Sequence, residues 1–278
     1  MNDWDREWPA PAKLNLFLHV VGRRSDGYHL LQTVFRFLDH GDTLRCERRT
    51  DGRIVRAEPL PGVAPASDLV VRAAEALRDA TGASAGVTLH LDKRLPMGGG
   101  LGGGSSDAAT TLIALNHLWH TGLDSSRLQA IGLRLGADVP IFIHGRSAFA
   151  EGVGERFSEV LLPPAWYLVL VPAVSVPTPE IFRSPLLRRD TPAVSARDWR
   201  PGEGRNDLEP VACSLFPEVE RHLAWLRTYG NARMSGSGAC CFVDFASEAP
   251  ARAALAALPA GMRGFVARGI DRHPLAGI

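Results

Sequence analysis

Pro96-Met97-Gly98-Gly99-Gly100-Leu101-Gly102-Gly103-Gly104-Ser105-Ser106-Asp107 lies between an expected strand and an expected alanine-rich helix. Glycine fills six of the seven positions from 98 to 104. Such a stretch can adopt positive φ and let a ligand approach the backbone closely, at an entropic cost that a structural loop has no reason to bear. Ser105 or Ser106 is placed to cap the helix that follows, and Ala108, Ala109, Leu112, Leu115 and Trp119 supply its buried stripe. The helix start would then aim free N–H groups and a positive dipole end at the glycines, which suits a phosphate.

Three simpler readings compete for this loop. A Walker A motif needs lysine after the last glycine, and Lys13 and Lys93 are the only lysines in the chain. A dinucleotide fingerprint is formally met by Gly98, Gly100 and Gly103, but no second strand ending in an acid follows at the required distance. A ligand-free hinge would not lead into a well-capped helix.

Working outward, residues 12–21 alternate in the manner of a half-buried strand, which puts Lys13 and Asn15 on one face. Further strands are expected at 32–38, 43–49, 86–91, 147–150, 167–172, 240–245 and 264–268, and helices at 68–80, 106–119, 125–135, 215–228 and 249–258. This mixed order predicts an α+β fold rather than a regular βαβ repeat. A domain boundary is expected near residue 160, giving domains 1–160 and 161–278. The proline- and arginine-rich stretch 175–204 reads as a long surface loop with one helical turn, and long loops are often functional.

The 278 residues are 45% hydrophobic and 22% charged, an ordinary globular balance. A net charge of +1 gives no broad positive field for nucleic acid or an anionic membrane, so neither is expected as a partner. Cys46, Cys213, Cys240 and Cys241 lack metal-ligand spacing and read as reduced thiols, with the adjacent pair on opposite faces of a strand. No apolar run of membrane-spanning length or signal-peptide core is visible, so a cytoplasmic location is expected.

The loop PMGGGLGGGSSDAA resembles the phosphate-binding motif of the GHMP kinases. PAKLNLFLHVVGRRSDGYHLL at 11–31, GADVPIF at 136–142 and ARMSGSGACCF at 232–242 extend the resemblance, in the family's order, over nearly the whole chain. It implies a two-domain GHMP kinase fold, with a ribosomal-protein-S5-like N-terminal domain and a ferredoxin-like C-terminal one. It also implies ATP as donor, Mg²⁺ bound chiefly through the ATP phosphates, and a small-molecule alcohol as acceptor.

Residue by residue, the resemblance makes Asp138 the general base and Lys13 the ammonium beside it. In isolation Asp138 would read as a capping aspartate and Lys13 as an exposed strand lysine. Pro96 through Ser106 would hold the phosphates, joined by Gly236, Ser237 and Gly238. The sequence GRRSDGYHLLQTVF looks like the branch whose acceptor is a cytidine diphosphate derivative. There Tyr28, His29 and Phe182 would enclose the base, with Asn15 and Thr178 as polar contacts. Asp68 could approach adenine, but N-capping is the expected role. Other acceptors, a catalytically silent relative and an oxidoreductase are the competing functions.

Overall fold

The computed structural model describes residues 3–278. β1 (Glu7–Arg23) turns back antiparallel onto β2 (His29–Arg49), whose 21 residues are the spine of a ten-stranded sheet. The two strands expected at 32–38 and 43–49 are this single strand. Asp39 and Asp42, which look like a turn in sequence, find donors elsewhere in the chain. Asp39 accepts from Arg268 N (2.7 Å), and Asp42 accepts from Arg94 N (2.6 Å), Leu95 N (2.8 Å) and the Lys93 ammonium. Satisfied polar groups let the strand run on.

β3 (Ile54–Arg56) leads to α1 (Leu69–Thr81) and β4 (Gly86–Asp92), which pairs with the outer half of β2. α2 (Gly103–Leu118), α3 (Ser125–Leu135) and the short α4 (Val139–His144) follow the glycine loop. β5 (Ala148–Gly152) returns to the inner half of β2, and β6 (Arg156–Ser158) pairs with β5. The helices α1 to α4 cover one face of this sheet, and their core includes Phe35, Phe37, Leu77, Leu112, Leu115 and Phe142. Burial of each such leucine contributes roughly 1.5–3 kcal/mol.

In the C-terminal half, β7 (Trp166–Leu170) is followed by α5 (Thr178–Arg183), α6 (Glu209–Leu215) and α7 (Pro217–Leu226). β8 (Arg233–Met234), β9 (Cys241–Phe245), α8 (Glu248–Ala256) and β10 (Gly264–Ile270) complete the chain. Their order is β10-β7-β9-β8, and β10 touches β2 at Leu38 and Phe37, joining the two halves into one sheet. A second core lies beneath α6 to α8, and a third cluster packs Leu14, Phe17 and Leu101 against Val169, Cys240 and Phe242. Cys240 belongs to this third cluster and Cys241 to the second, on opposite faces as expected.

Three further expectations need correction. β1 is buried on both faces rather than half-buried: Leu14 and Leu16 pack into the third cluster, while Lys13 and Asn15 on the other side are buried against each other, the Gly100 carbonyl and Thr33. α2 begins at Gly103, not at a serine. Its N-cap is Gly102, with φ of 72° and no side-chain cap, so Ser105 and Ser106 fall inside the first turn. The helix expected at 215–228 is α7, which starts at Pro217 because proline cannot extend the preceding α6, and α6 itself is a helix that the sequence pattern does not predict. The stretch 175–204 is irregular apart from α5, but Val176, Leu187 and Trp199 anchor it in the apolar clusters. Among the described residues, no helix is long and apolar enough to cross a membrane.

Candidate active site

A cleft of about 540 Å³ opens where the two halves meet. Its floor is β1, one wall the glycine loop, and the other walls α4, α5 and the β8–β9 turn. Lys13 and Asn15, two apart on β1, both face it, as the period of a strand requires.

Lys13 is only 2% exposed. Its ammonium donates to Asn15 Oδ1 (2.6 Å) and to the Gly100 carbonyl (3.1 Å), and pairs with Asp138 Oδ2 at 3.0 Å. Asp138 precedes α4, makes no capping bond and is 36% exposed, so its carboxylate stays available to a ligand. A buried cation with a half-open acid against it stabilises negative charge in the cleft and leaves the acid free to accept a proton.

The glycine loop is held from both sides. Lys13 N donates to the Leu101 carbonyl (2.9 Å) and Cys240 N to the Gly99 carbonyl (3.0 Å). Ser235 Oγ donates to the Gly100 carbonyl (2.8 Å) and accepts from Asn15 N (3.2 Å). Gly100 has φ of 76°, and a Cβ there would stand 2.0 Å from the Ser235 carbonyl oxygen, so close approach demands glycine. Gly102 has the same backbone hand, and its Cβ would press on the Lys13 stem and Phe142 at 3.0 Å. Because the α2 cap is a glycine, no side chain occupies the N–H groups of its first turn, and they remain open to an anion.

Lys93, the chain's other lysine, braces the loop from beneath. Its ammonium bridges Asp42 and Asp107 (2.7 Å to Asp107 Oδ2). Two carboxylates around one ammonium leave an excess acid, and burial pushes the Asp107 carboxyl up to about 7, with Lys93 opposing and Asp42 adding to the shift. The Lys93 pKa is also raised: burial works against its charge, and the two carboxylates outweigh it. The lysine thus stays charged and the surplus proton rests on Asp107.

The β8–β9 turn carries Gly236, Ser237 and Gly238 into the cleft. Asn206 Nδ2 fixes it by donating to the carbonyls of Met234 (2.8 Å) and Gly236 (2.7 Å), and Thr178 Oγ1 meets Ser237 Oγ at 2.7 Å. Thr178 and Phe182 come from α5 and line the far end. His29, at the start of β2, lies beside Phe182 with ring centroids 5.0 Å apart. Burial, then the charges of Arg189 and Arg23, lower its pKa.

Most of the expected site residues meet here. Lys13, Asn15, Pro96, Met97, Gly98 to Gly100, Gly102 to Ser105, Asp138, Thr178, Phe182 and Gly236 to Gly238 line one cleft. Leu101 and Ser106 lie buried behind the loop. Tyr28 and His29 stand outside the lining, and Tyr28 is 64% exposed. Asp68 caps α1 by accepting from Val70 N (2.9 Å) while also lining the cleft. Asn206 and Asp42 carry no site signal in sequence, and Ser235 and Asp107 fall inside the sequence motifs without any sign of their bracing role. Their partners are too remote to be inferred, although the scarcity of lysine marks Lys93.

A glycine cradle facing an ammonium–carboxylate pair across a two-domain junction defines a small-molecule kinase. Residues 68–146 match the GHMP kinases N terminal domain and residues 194–264 the GHMP kinases C terminal family. The chain is 61% identical to a 4-diphosphocytidyl-2-C-methyl-D-erythritol kinase of Dechloromonas aromatica, over 98% of this chain and 99% of that protein. It is 62% identical to the enzyme of the same name from Thiobacillus denitrificans, over 96% of each chain. A crystal structure of 4-(cytidine 5'-diphospho)-2C-methyl-D-erythritol kinase superimposes with a TM-score of 0.81 at 38% identity, covering 95% of this chain and 99% of that one. The chain belongs to the GHMP kinase family, in the branch that these 4-diphosphocytidyl-2-C-methyl-D-erythritol kinases represent.

Proposed function

We propose that this chain transfers the terminal phosphoryl group of ATP to the 2-hydroxyl of 4-diphosphocytidyl-2-C-methyl-D-erythritol, a step of the methylerythritol phosphate route to isoprenoids. The observation that carries the chemistry is the 3.0 Å Lys13–Asp138 pair inside the same cleft as the glycine loop. The identity of the acceptor rests on the named relatives and on the His29–Phe182 pair at the far end.

In this reading Asp138 accepts the proton of the acceptor hydroxyl as its oxygen bonds to the γ-phosphorus and the bond to the ADP oxygen breaks. Lys13 stabilises the charge on the transferring group and holds the Asp138 carboxylate beside it. The open N–H groups of residues 103–105 and the glycine loop bind the phosphates, with Gly236, Ser237 and Gly238 closing over them. Asn15 and Thr178 orient the acceptor, and Tyr28, His29 and Phe182 hold its base.

Mg²⁺ fits this cleft as a phosphate-borne ion. Such an ion would take most of its ligands from phosphate and water. Ser105 lines the phosphate end and is the protein group placed to add a ligand. When bound, the ion neutralises phosphate charge. We set the domain junction near residue 160, a division supported by β6 pairing with β5 on one side and β7 pairing with β9 on the other.

A coupled ADP-release assay with a panel of acceptors tests the reading. The cytidyl compound should support turnover while mevalonate, homoserine and galactose do not; turnover with one of those instead would replace the assignment.

A further inference from the structure

Arg189 contacts neither the glycine loop nor the Lys13–Asp138 pair, yet it ties together the far end of the cleft. Its guanidinium donates to the carbonyls of Leu187 (2.9 Å), Phe182 (3.0 Å) and Ser184 (2.8 Å), bracing the segment that carries the Phe182 ring. Its remaining bond runs from Nε to His29 Nε2 at 3.1 Å. This bond has a consequence for the histidine, because a guanidinium has donors only. His29 Nε2 must accept, so it carries no proton, and in the neutral ring the proton resides on Nδ1.

We propose that Arg189 is a specificity-determining residue: by occupying His29 Nε2 it locks the tautomer whose Nδ1–H donates to a pyrimidine edge with a bare ring nitrogen. This rests on the reading above, in which His29 meets the base of the acceptor. Cytosine presents such an acceptor at N3, whereas uracil carries N–H there and would oppose donor to donor. An unlocked histidine could rotate its protonation to suit either base. Arg189 thereby imposes cytidine over uridine without touching the base. The groups facing His29, Arg189 from the loop and Arg23 from β1, are both cationic, and with burial they oppose an imidazolium, which would present donors on both nitrogens.

Nitrogen-15 NMR of the full-length protein without ligand reads the tautomer directly, with His29→Gln used only to assign the signals. The expected spectrum has a protonated Nδ1 and a bare Nε2. A proton on Nε2 would overturn the proposal, and this measurement needs neither turnover nor a variant. Arg189→Met removes the donor and should give mixed tautomers that titrate nearer to pH 6.5. It should raise the KM of the cytidyl acceptor about tenfold while kcat changes little, and reduce the preference over the uridyl analogue by about tenfold. Arg189→Lys, which restores one donor, should recover part of that preference.

An unchanged KM and preference in Arg189→Met would also sink the idea. If Arg189→Met does not fold, the wild-type spectrum decides the matter. Should the wild-type enzyme reject the cytidyl acceptor altogether, the functional reading is lost while the tautomer assignment is still tested.

Discussion

The two ends of the cleft are built by opposite means. At the phosphate end Lys13 is buried, the glycine loop is pinned by hydrogen bonds from β1, Ser235 and Cys240, and Gly100 has no room even for a Cβ. At the base end Tyr28 lies in solvent, and His29 and Phe182 are tied together by one arginine on an irregular segment. Phosphoryl transfer tolerates little misplacement of the reacting groups, so the phosphate end is assembled before any ligand arrives. A planar base is recognised by faces and an edge, which side chains can complete as it binds. The contrast predicts that changes at the first end damage turnover or folding, and that changes at the second alter acceptor affinity alone.

The largest effect is expected from Asp138→Ala. Loss of the proton acceptor should lower kcat by about 10²–10⁴, with circular dichroism unchanged and acceptor KM little affected. Full turnover in this variant would break the comparison at its root, because the rigid end would then lack its chemistry.

Gly100→Ala comes next. Its backbone strain alone should cost about 1–3 kcal/mol, before the collision with the Ser235 carbonyl is counted. Thermal melting should register a fall of roughly 2–4 °C for each kcal/mol, together with a loss of kcat. A variant as stable and as active as wild type would mean that the loop is softer than its contacts imply.

At the base end, Tyr28→Ala should leave the melting temperature nearly unchanged, since the side chain is exposed. The KM of the acceptor should rise about tenfold through lost stacking, with kcat held. A drop in kcat instead would show that the base end shares in catalytic alignment.

The smallest effect concerns pH. Asp107 is raised in the folded protein to about 7 from an ordinary carboxyl value, so the folded state holds the extra proton. Its contribution to stability is complete below about pH 4 and is lost as pH rises toward and through 7. Melting curves between pH 4 and 8 should therefore show wild type losing stability relative to Asp107→Asn as pH rises. Parallel curves for the two proteins would place the proton elsewhere. At the base end the lowered His29 pKa works the other way: the ring stays neutral as pH falls below its usual range, so acceptor KM should hold steady around pH 6.5.

Legibility followed the range of the signal. The helices α1, α3 and α8 are readable within a residue or two, because periodicity and capping act over a few turns, whereas the strand holding Lys13 and Asn15 is readable in its middle but not over its first five residues. β2 was read as two strands, since Asp39 and Asp42 are turn-like until Arg268 and Lys93 answer them. The α2 start was misplaced for a related reason. Serine is the better cap in isolation, but a glycine cap leaves the first-turn N–H groups unoccupied, which suits a phosphate site. Ser235 and Asn206 do their work through carbonyls of residues distant along the chain, and nothing local records it.

From its amino acids alone, this chain specified a glycine cradle that lysine does not complete, a strand presenting Lys13 and Asn15 together, and an ordered set of motifs belonging to one kinase family. These are properties of neighbours in the chain, set by φ preferences and alternation. Only packing decided that Lys13 is buried against Asp138, that Lys93 sits between two carboxylates, and that Arg189 reaches His29 across 160 residues to choose its tautomer. Such pairings depend on where hydrophobic burial brings remote segments to rest, and a hydrogen bond exists only once both partners have been delivered to within 3 Å or so.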